Sequence, residues 1–219
     1  MSYKGLPFVT VWIEYSEIGT VLKPIGAKPL RRRDGSYAYT VPTLSDPNTG
    51  SLITDSIEIA SYLEMTYPEK PIFPGPNHSE GLIRAFDSAY NDLLRPGIKF
   101  ILGRSAEILS TDSANFFMDT RCRNFNLPWD EFTSEGQKRE AEWALLEKGY
   151  STTYEWYQKS HGRWIMGDTF SYADIIVACE LLWYKRVLRE DEWIRISSWN
   201  EGKWAQLLTD VEKECNLVA

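Results

Sequence analysis

The sequence predicts an α/β part followed by an all-helical part, on three observations. Residues 38–44 and 51–54 have the composition of short strands, and a helical pattern follows at 55–67. Four prolines and one glycine then crowd into residues 68–76, a density that regular elements do not tolerate. Beyond residue 79, apolar residues recur at helical spacing. We therefore predict an α/β domain at 1–70, a linker at 71–78 and a helical domain at 79–219.

The first part begins with a predicted strand at 8–14, where β-branched and aromatic residues dominate. A short helix at 16–25 is expected to end at Gly26, and an Asp34-Gly35 turn lies in the loop before residue 38. The two strands that follow are joined by a β-turn at 46–50.

In the second part, the first helix is predicted at 79–95 and is expected to break or kink at Pro96-Gly97. Further helices are predicted from there to about 109, and at 112–124, 134–160, 171–189 and 200–213. Ser171 and Asp174 have the spacing of a capping box, flanked by a hydrophobic staple. The apolar run 175–179 predicts a buried helix behind it, so we interpret Ser171 and Asp174 as structural residues.

Composition excludes several classes of protein. The 219 residues are 43% apolar and 25% charged, as in globular proteins, and no apolar run approaches the roughly 20 residues of a membrane span. The formal charge of −7 disfavours nucleic acid as a partner. Three widely spaced cysteines and the lack of an apolar signal segment favour a cytoplasmic protein. His78 and His161 have no metal-ligand spacing, so no metal site is predicted.

Val41-Pro42 and Asp55-Ser56 are the candidate binding residues. Pro42 has no N–H, so its strand belongs at an edge or a bend. An ordinary trans bond is the default there, whereas a cis bond turns the Val41 N–H and C=O outward to pair with a peptide. Asp55 and Ser56 open a helix, where N–H groups and the helix dipole favour a carboxylate. Asp55 is either a plain N-cap or a partner for a ligand ammonium.

The segment 41–56 resembles the thioredoxin-like domain of glutathione transferases. It contains a Val-Pro pair, a hairpin and then an acid-Ser pair that opens a helix. The segment 167–174 is similar to the capping-box segment of that family's helical domain. The stretches 4–8, 116–121 and 190–193 resemble the fungal-specific A class, which is related to the Ure2-like group. The similarity covers nearly the whole chain.

The resemblance implies a glutathione site. In the family, the Val backbone pairs with the cysteinyl part of glutathione and the acid-Ser pair holds the γ-glutamyl end, which here gives Val41, Pro42, Asp55 and Ser56. The glycyl carboxylate can be reached by Arg32, which lies in the basic run 31–33, or by Lys28. The alternative is that this basic loop is simply solvated and binds nothing. No metal is implied, and a homodimer is expected.

A hydrophobic pocket for the acceptor substrate, between the domains, is predicted from the aromatic residues Tyr90, Phe116, Phe117 and Trp129. Residues at helical spacing are more often simply core, and that interpretation stays open for these aromatics.

The family's thiol-activating donor follows its first strand, at the start of its first helix. The KGLPF pattern normally comes after that helix, yet here it begins at residue 4. We therefore expect the first β–α unit to be missing, leave the catalytic residue unknown, and expect unpaired edges at 8–14 and 39–44.

Two functions from different classes follow. The first is a glutathione transferase that acts on small hydrophobic compounds by glutathione conjugation, thiol transfer or peroxide reduction, with the thiolate as nucleophile. The second is a non-catalytic protein, either a ligand carrier or a regulatory protein, that has lost thiol activation.

Overall fold

The computed structural model describes residues 1–32, 35–75 and 79–217. Some predicted features lie outside the described residues. They are Arg33, Asp34 of the predicted turn, His78 and the end of the predicted linker. The division into domains at 1–70 and 79–219 remains a prediction.

The first part of the chain contains two small antiparallel sheets. Strand β1 (Leu30–Arg31) pairs with β2 (Tyr37–Ala38), and β3 (Thr43–Asp46) pairs with β4 (Ser51–Thr54). The predicted strand at 38–44 is therefore wrong in its extent, because it is split on either side of Pro42. Proline cannot donate to a strand ladder, so the chain leaves one sheet before this residue and enters the next after it.

The predicted strand at 8–14 is also wrong. These residues belong to no strand of the described chain, because no neighbouring strand is there to pair with their backbone. Most of their apolar side chains face water: Val9 and Trp12 are each 90% exposed, whereas Ile13 packs against Ile18 and Leu22. The expected unpaired apolar segment is thus present, but its backbone does not form a regular β-strand.

A short 3₁₀ turn at Tyr15–Glu17 leads into α1 (Ile18–Leu22), which is shorter than the predicted helix and is followed by a turn ending at Gly26, where φ is +85°. Helix α2 (Ser56–Thr66) follows β4. Arg84 of the next helix donates hydrogen bonds to Glu58 (2.8 Å) and to Ser61 (2.9 Å) of α2. These bonds hold α2 against the helical part.

The helical part follows the predicted order closely. Its helices are α3 (Glu80–Leu94), α4 (Lys99–Glu107), α5 (Thr111–Phe125), α6 (Gln137–Lys159), α7 (Tyr172–Val187) and α8 (Glu190–Glu214). A 3₁₀ turn at Arg95–Gly97 forms the predicted break after α3. Helix α8 begins ten residues before the predicted start, and its backbone is non-helical at Trp199–Gly202.

The main core lies among α3, α4, α6, α7 and α8 and is rich in large aromatic residues, with Tyr90, Tyr150, Tyr184 and Trp204 fully buried. A smaller cluster joins α2 to this part through Ala60, Phe73 and Ala173. Within the described ranges, none of the helices combines the length and the apolar character needed to cross a bilayer. The predicted α/β part followed by an all-helical part is confirmed.

Candidate functional site

The turn before β3 presents an unpaired piece of backbone. The Val41-Pro42 bond is cis, so the default expectation of a trans bond was wrong. The Val41 side chain is half exposed, and no described residue forms a hydrogen bond with the N–H or the C=O of Val41. Both backbone groups are thus available to an extended ligand.

The start of α2 lies directly beside this turn. The backbone N–H of Asp55 donates to the C=O of Pro42 at 3.3 Å, and the hydroxyls of Thr43 and Thr54 lie 3.3 Å apart. The structure therefore brings together Val41, Pro42, Asp55 and Ser56, which the sequence predicted to form one site.

Asp55 caps helix α2. Its Oδ1 accepts the N–H of Ile57 at 2.9 Å, while its Oδ2 accepts no hydrogen bond from the described residues. Its backbone has φ +87° and ψ 132°, a conformation that non-glycine residues rarely adopt and that tends to occur at functional positions. Ser56 is exposed at the first helical position. The helix start therefore offers N–H groups, a hydroxyl and a free carboxylate oxygen in one place.

Tyr172 was not predicted as a site residue, although it lies within the capping-box segment 167–174. The Tyr172 hydroxyl donates to the C=O of Ser56 at 3.0 Å, which connects α7 to the start of α2. Burial raises the pKa of Tyr172 to about 12, and the nearby Cys179, Asp87 and Asp55 add to the rise. Burial also raises the pKa of Asp87, with a further contribution from Asp55. This side of the site is acidic and favours a cationic ligand group.

Arg32 lies on the exposed tip between β1 and β2. Its backbone N–H donates to the C=O of Ser36 at 2.7 Å and its C=O accepts from Gly35 at 3.0 Å. Its side chain contacts neither Val41 nor Asp55 through any hydrogen bond or ion pair of the described chain. The role of Arg32 in binding therefore stays a prediction.

A second group of residues forms around Tyr15. Arg121 of α5 donates to the Tyr15 hydroxyl at 2.7 Å and lies over the ring of Phe117, 4.3 Å from its centroid. The rings of Phe116 and Phe117 pack against Tyr15 with centroids 5.9 and 5.3 Å away. Phe117 is buried, but part of Phe116 faces solvent. Arg121 could have been predicted from the sequence, since it is the last residue of the stretch 116–121 that resembles the fungal-specific A class.

Tyr90, another aromatic of the predicted pocket, lies elsewhere. Tyr90 is 1% exposed, is stacked on Phe86 and lies 3.4 Å from Tyr150, hydroxyl to hydroxyl, in the main core. Phe117 belongs to a different cluster, with Leu102 and Phe132. The structure therefore supports the core alternative for Tyr90, and the accessible aromatic surface is that of Phe116 beside Tyr15.

Ser171 and Asp174 form both hydrogen bonds of a capping box at the start of α7. Asp174 is fully buried, and it also accepts from the Tyr157 hydroxyl and from the N–H of Ile165, each at 3.0 Å. Neither residue faces the site around Val41.

Comparison with known proteins bears on what this site belongs to. Residues 81–213 match the family model described as the C-terminal domain of glutathione S-transferase, and residues 1–66 match the model of its N-terminal domain. The chain belongs to the glutathione S-transferase family. Its α/β part is therefore a thioredoxin-like domain, and the resemblance seen in the sequence is confirmed.

Solved structures of fungal glutathione transferases resemble this chain throughout. A glutathione S-transferase of Ceriporiopsis subvermispora, crystallised with glutathione, shares 34% identity at a TM-score of 0.89, over 97% of this chain and 86% of that one. Glutathione transferase GSTFuA2 from Phanerochaete chrysosporium shares 31% identity at a TM-score of 0.85, with the same coverage. The glutathione S-transferase-like protein ustS of Aspergillus flavus is 25% identical, over 94% of this chain and 78% of its own length.

Among the described residues, no group of three or more His, Cys, Asp or Glu side chains is arranged to hold a metal ion. The candidate site around Val41 consists of backbone groups, a helix start and single side chains.

Proposed function

We propose that this protein binds glutathione beside Val41 and at the start of α2, and that it transfers glutathione to small hydrophobic electrophiles. The observation that carries the proposal is the hydrogen bond from the Asp55 N–H to Pro42, which sets the unpaired Val41 backbone next to an exposed helix start. Two relatives that are 34% and 32% identical were crystallised with glutathione, which supports the same ligand here.

Each part of the tripeptide has a matching group. The cysteinyl unit pairs with the backbone of Val41 as an added strand. The γ-glutamyl carboxylate is bound by the N–H groups of α2 and by the Ser56 hydroxyl. The free Oδ2 of Asp55 binds the ammonium group, which the acidic surroundings favour. Arg32 or Lys28 binds the glycyl carboxylate.

The acceptor substrate packs on the aromatic surface of Phe116 and Tyr15. In the reaction, the glutathione thiolate attacks the electrophilic carbon, the new C–S bond forms, and the leaving group departs with the bonding electrons. A chlorinated nitroaromatic releases chloride in this way. A site that binds thiolate better than thiol lowers the thiol pKa and so raises the reactive fraction.

The test combines calorimetry with glutathione and a spectrophotometric assay with a chlorinated nitroaromatic. We expect Ser56→Ala and Asp55→Ala each to weaken glutathione binding about tenfold, because each removes a hydrogen bond to a charged group. Ser88→Ala, an exposed serine of α3, is the matched control and should bind like the wild type. Wild-type protein without measurable glutathione binding would contradict the proposal.

Non-catalytic binding of an apolar ligand is a second candidate. The partly exposed Phe116 beside Tyr15 favours it, since this surface offers apolar contact that needs no thiol chemistry. Glutathione binding without turnover of the nitroaromatic, together with binding of a hydrophobic dye, would support this function over transfer.

We also propose a cytoplasmic homodimer. Cys122, Cys179 and Cys215 are free thiols, as expected in a reducing compartment. The strongly exposed Met65 and Leu82, on α2 and α3, offer apolar surface for a second copy. Light scattering after size exclusion should give twice the 25.3 kDa chain mass; a monomer at all concentrations would contradict it.

A further inference from the structure

The group of residues around Tyr15 contains a cation without a matching anion. Arg121 is partly buried, and its guanidinium group forms no ion pair with any carboxylate of the described residues. The other described arginines that are buried or partly buried each have a carboxylate partner; they are Arg84, Arg104, Arg139 and Arg195. Arg121 is therefore the exception among the arginines that the structure describes.

The carboxylates nearest to Arg121 in the chain and in this group are engaged elsewhere. Glu14 accepts hydrogen bonds from two serine hydroxyls at the start of α5. Asp119 pairs with Arg123 at 2.6 Å. The guanidinium of Arg121 instead lies over the ring of Phe117, 4.3 Å from its centroid. A ring face compensates a partly buried cation only in part, so the charge of Arg121 is left for an anion from solution.

Hydrogen-bond donors remain available beside this charge. A guanidinium carries five N–H donors, and Arg121 uses one of them, from Nη2 to the Tyr15 hydroxyl at 2.7 Å. Because the Tyr15 oxygen accepts this bond, its own O–H is left to donate, and it donates to none of the described residues. The two side chains therefore present N–H and O–H donors side by side.

An accessible aromatic surface adjoins these donors. Phe116 is 42% exposed, and its ring centroid lies 5.9 Å from that of Tyr15. Phe116 and Arg121 both belong to α5, and Tyr15 connects them through one ring contact and one hydrogen bond. The surface that we assigned to the acceptor substrate thus has an apolar side and a cationic side.

We propose that Arg121 and Tyr15 determine the acceptor specificity of this surface, and that the preferred acceptors are aromatic electrophiles that carry a carboxylate. This inference rests on the proposed transfer of glutathione. The carboxylate accepts hydrogen bonds from the planar guanidinium of Arg121 and from the Tyr15 hydroxyl. The aromatic ring lies against Phe116. No carboxylate of the described residues has to be displaced from Arg121.

The first test compares two chlorinated nitroaromatics that differ by one charge, 4-chloro-3-nitrobenzoate and its methyl ester. In both, the glutathione thiolate attacks the carbon that carries chlorine, the C–S bond forms, and chloride leaves with the electrons of the C–Cl bond. The ester is intrinsically more reactive, so kcat/KM is divided by the rate constant of the uncatalysed reaction. We expect this ratio to be about tenfold higher for the carboxylate. An equal or higher ratio for the ester would overturn the proposal.

Variants then locate the preference at Arg121. Arg121→Gln should lower the ratio for the carboxylate about tenfold and leave that for the ester nearly unchanged, because only the carboxylate loses a charged donor. Arg123→Gln is the matched control, since it removes the same charge from an exposed residue of α5, and it should change neither ratio. Equal losses with both acceptors, or equal losses in both variants, would assign the effect to packing or to general surface charge and overturn the proposal.

Direct binding separates this inference from the proposed transfer. Calorimetry without glutathione uses 3-nitrobenzoate and methyl 3-nitrobenzoate, which lack the leaving group. The wild type should bind the carboxylate more tightly than the ester. Tyr15→Phe keeps the ring but removes the O–H, so it should weaken only carboxylate binding, by several-fold. Equal affinities, or no measurable binding of the carboxylate, would overturn the roles of Arg121 and Tyr15, whereas a protein that does not bind glutathione would contradict the proposed transfer.

Discussion

Asp174 is a buried carboxylate with an unusually large number of donors. Besides the Tyr157 hydroxyl and the Ile165 N–H on Oδ1, its Oδ2 accepts the N–H and the hydroxyl of Ser171, both at 3.0 Å. Burial nevertheless raises the pKa of Asp174 above its ordinary value. One side chain thus joins the start of α7 to the end of α6 and to the loop between them.

Asp174→Ala should lower the free energy of unfolding by about 3 kcal/mol or more, because it leaves several buried donors without an acceptor. Urea unfolding followed by far-UV circular dichroism measures this loss. Asp168→Ala removes an exposed carboxylate six residues earlier and should change stability by less than about 0.5 kcal/mol. A variant at Asp174 that unfolds at the wild-type urea concentration would show that the four bonds contribute little.

Only the second half of helix α8 was predicted from the sequence. Its second half has a clear apolar period, but its first half begins with three acidic residues and lacks a glycine or proline directly before it. The break at Trp199–Gly202 places Asn200, Glu201 and Gly202 at positive φ, and Asn200 accepts the Trp204 indole N–H at 2.8 Å. Asn200 and Gly202 are residue types that tolerate this backbone region, whereas Glu201 adopts it despite its side chain.

Two glycines should respond in opposite directions to the same substitution. Gly202 has φ +78°, so Gly202→Ala should destabilise the protein by about 1 kcal/mol. Gly81 lies in the first turn of α3 with open space around its Cβ position, so Gly81→Ala should stabilise by up to about 0.5 kcal/mol. Thermal unfolding of both variants measures the difference. If both variants shift the midpoint in the same direction, backbone conformation is not what decides these sites.

The two parts of the molecule are connected at a second place besides α2, through the segment that precedes α1. Glu14 accepts hydrogen bonds from the hydroxyls of Ser113 and Ser110 at the start of α5, and the Tyr15 N–H donates to the Ser113 hydroxyl at 3.0 Å. These bonds lower the pKa of Glu14, with Ser113 as the larger cause. The carboxylate also meets the positive end of the α5 dipole.

Glu14→Gln should loosen the attachment of this segment to α5, because the neutral side chain binds the helix start less well. Hydrogen exchange at residues 10–16, read by mass spectrometry, should become faster. Since the folded-state pKa of Glu14 is depressed, the attachment is complete at neutral pH and is lost as the pH falls through that pKa, so wild-type exchange should approach the variant's in acid, after correction for intrinsic rates. Glu17→Gln, on an exposed side chain, is the control and should leave exchange unchanged.

The helical part was largely predictable because amphipathic periods and proline or glycine breaks are local signals. The partners Val41 and Asp55 were also predictable, since both precede short, well-marked elements. Residues 8–14 were not, because a strand exists only with a neighbour and the local composition cannot show whether one is present. Tyr172 and Arg121 were missed as site residues because their contacts span 116 and 106 positions of the chain.

The exposed segment at 8–14 contains an intrinsic fluorescent probe, Trp12. Among the described residues, Trp12 is the only tryptophan with a largely open ring, while Trp204, Trp143 and Trp164 are almost completely buried. Its emission should lie at longer wavelength and be quenched selectively by iodide. Anything that covers this segment, whether another chain or a ligand, would shift that emission to the blue and protect it from the quencher, with no label added.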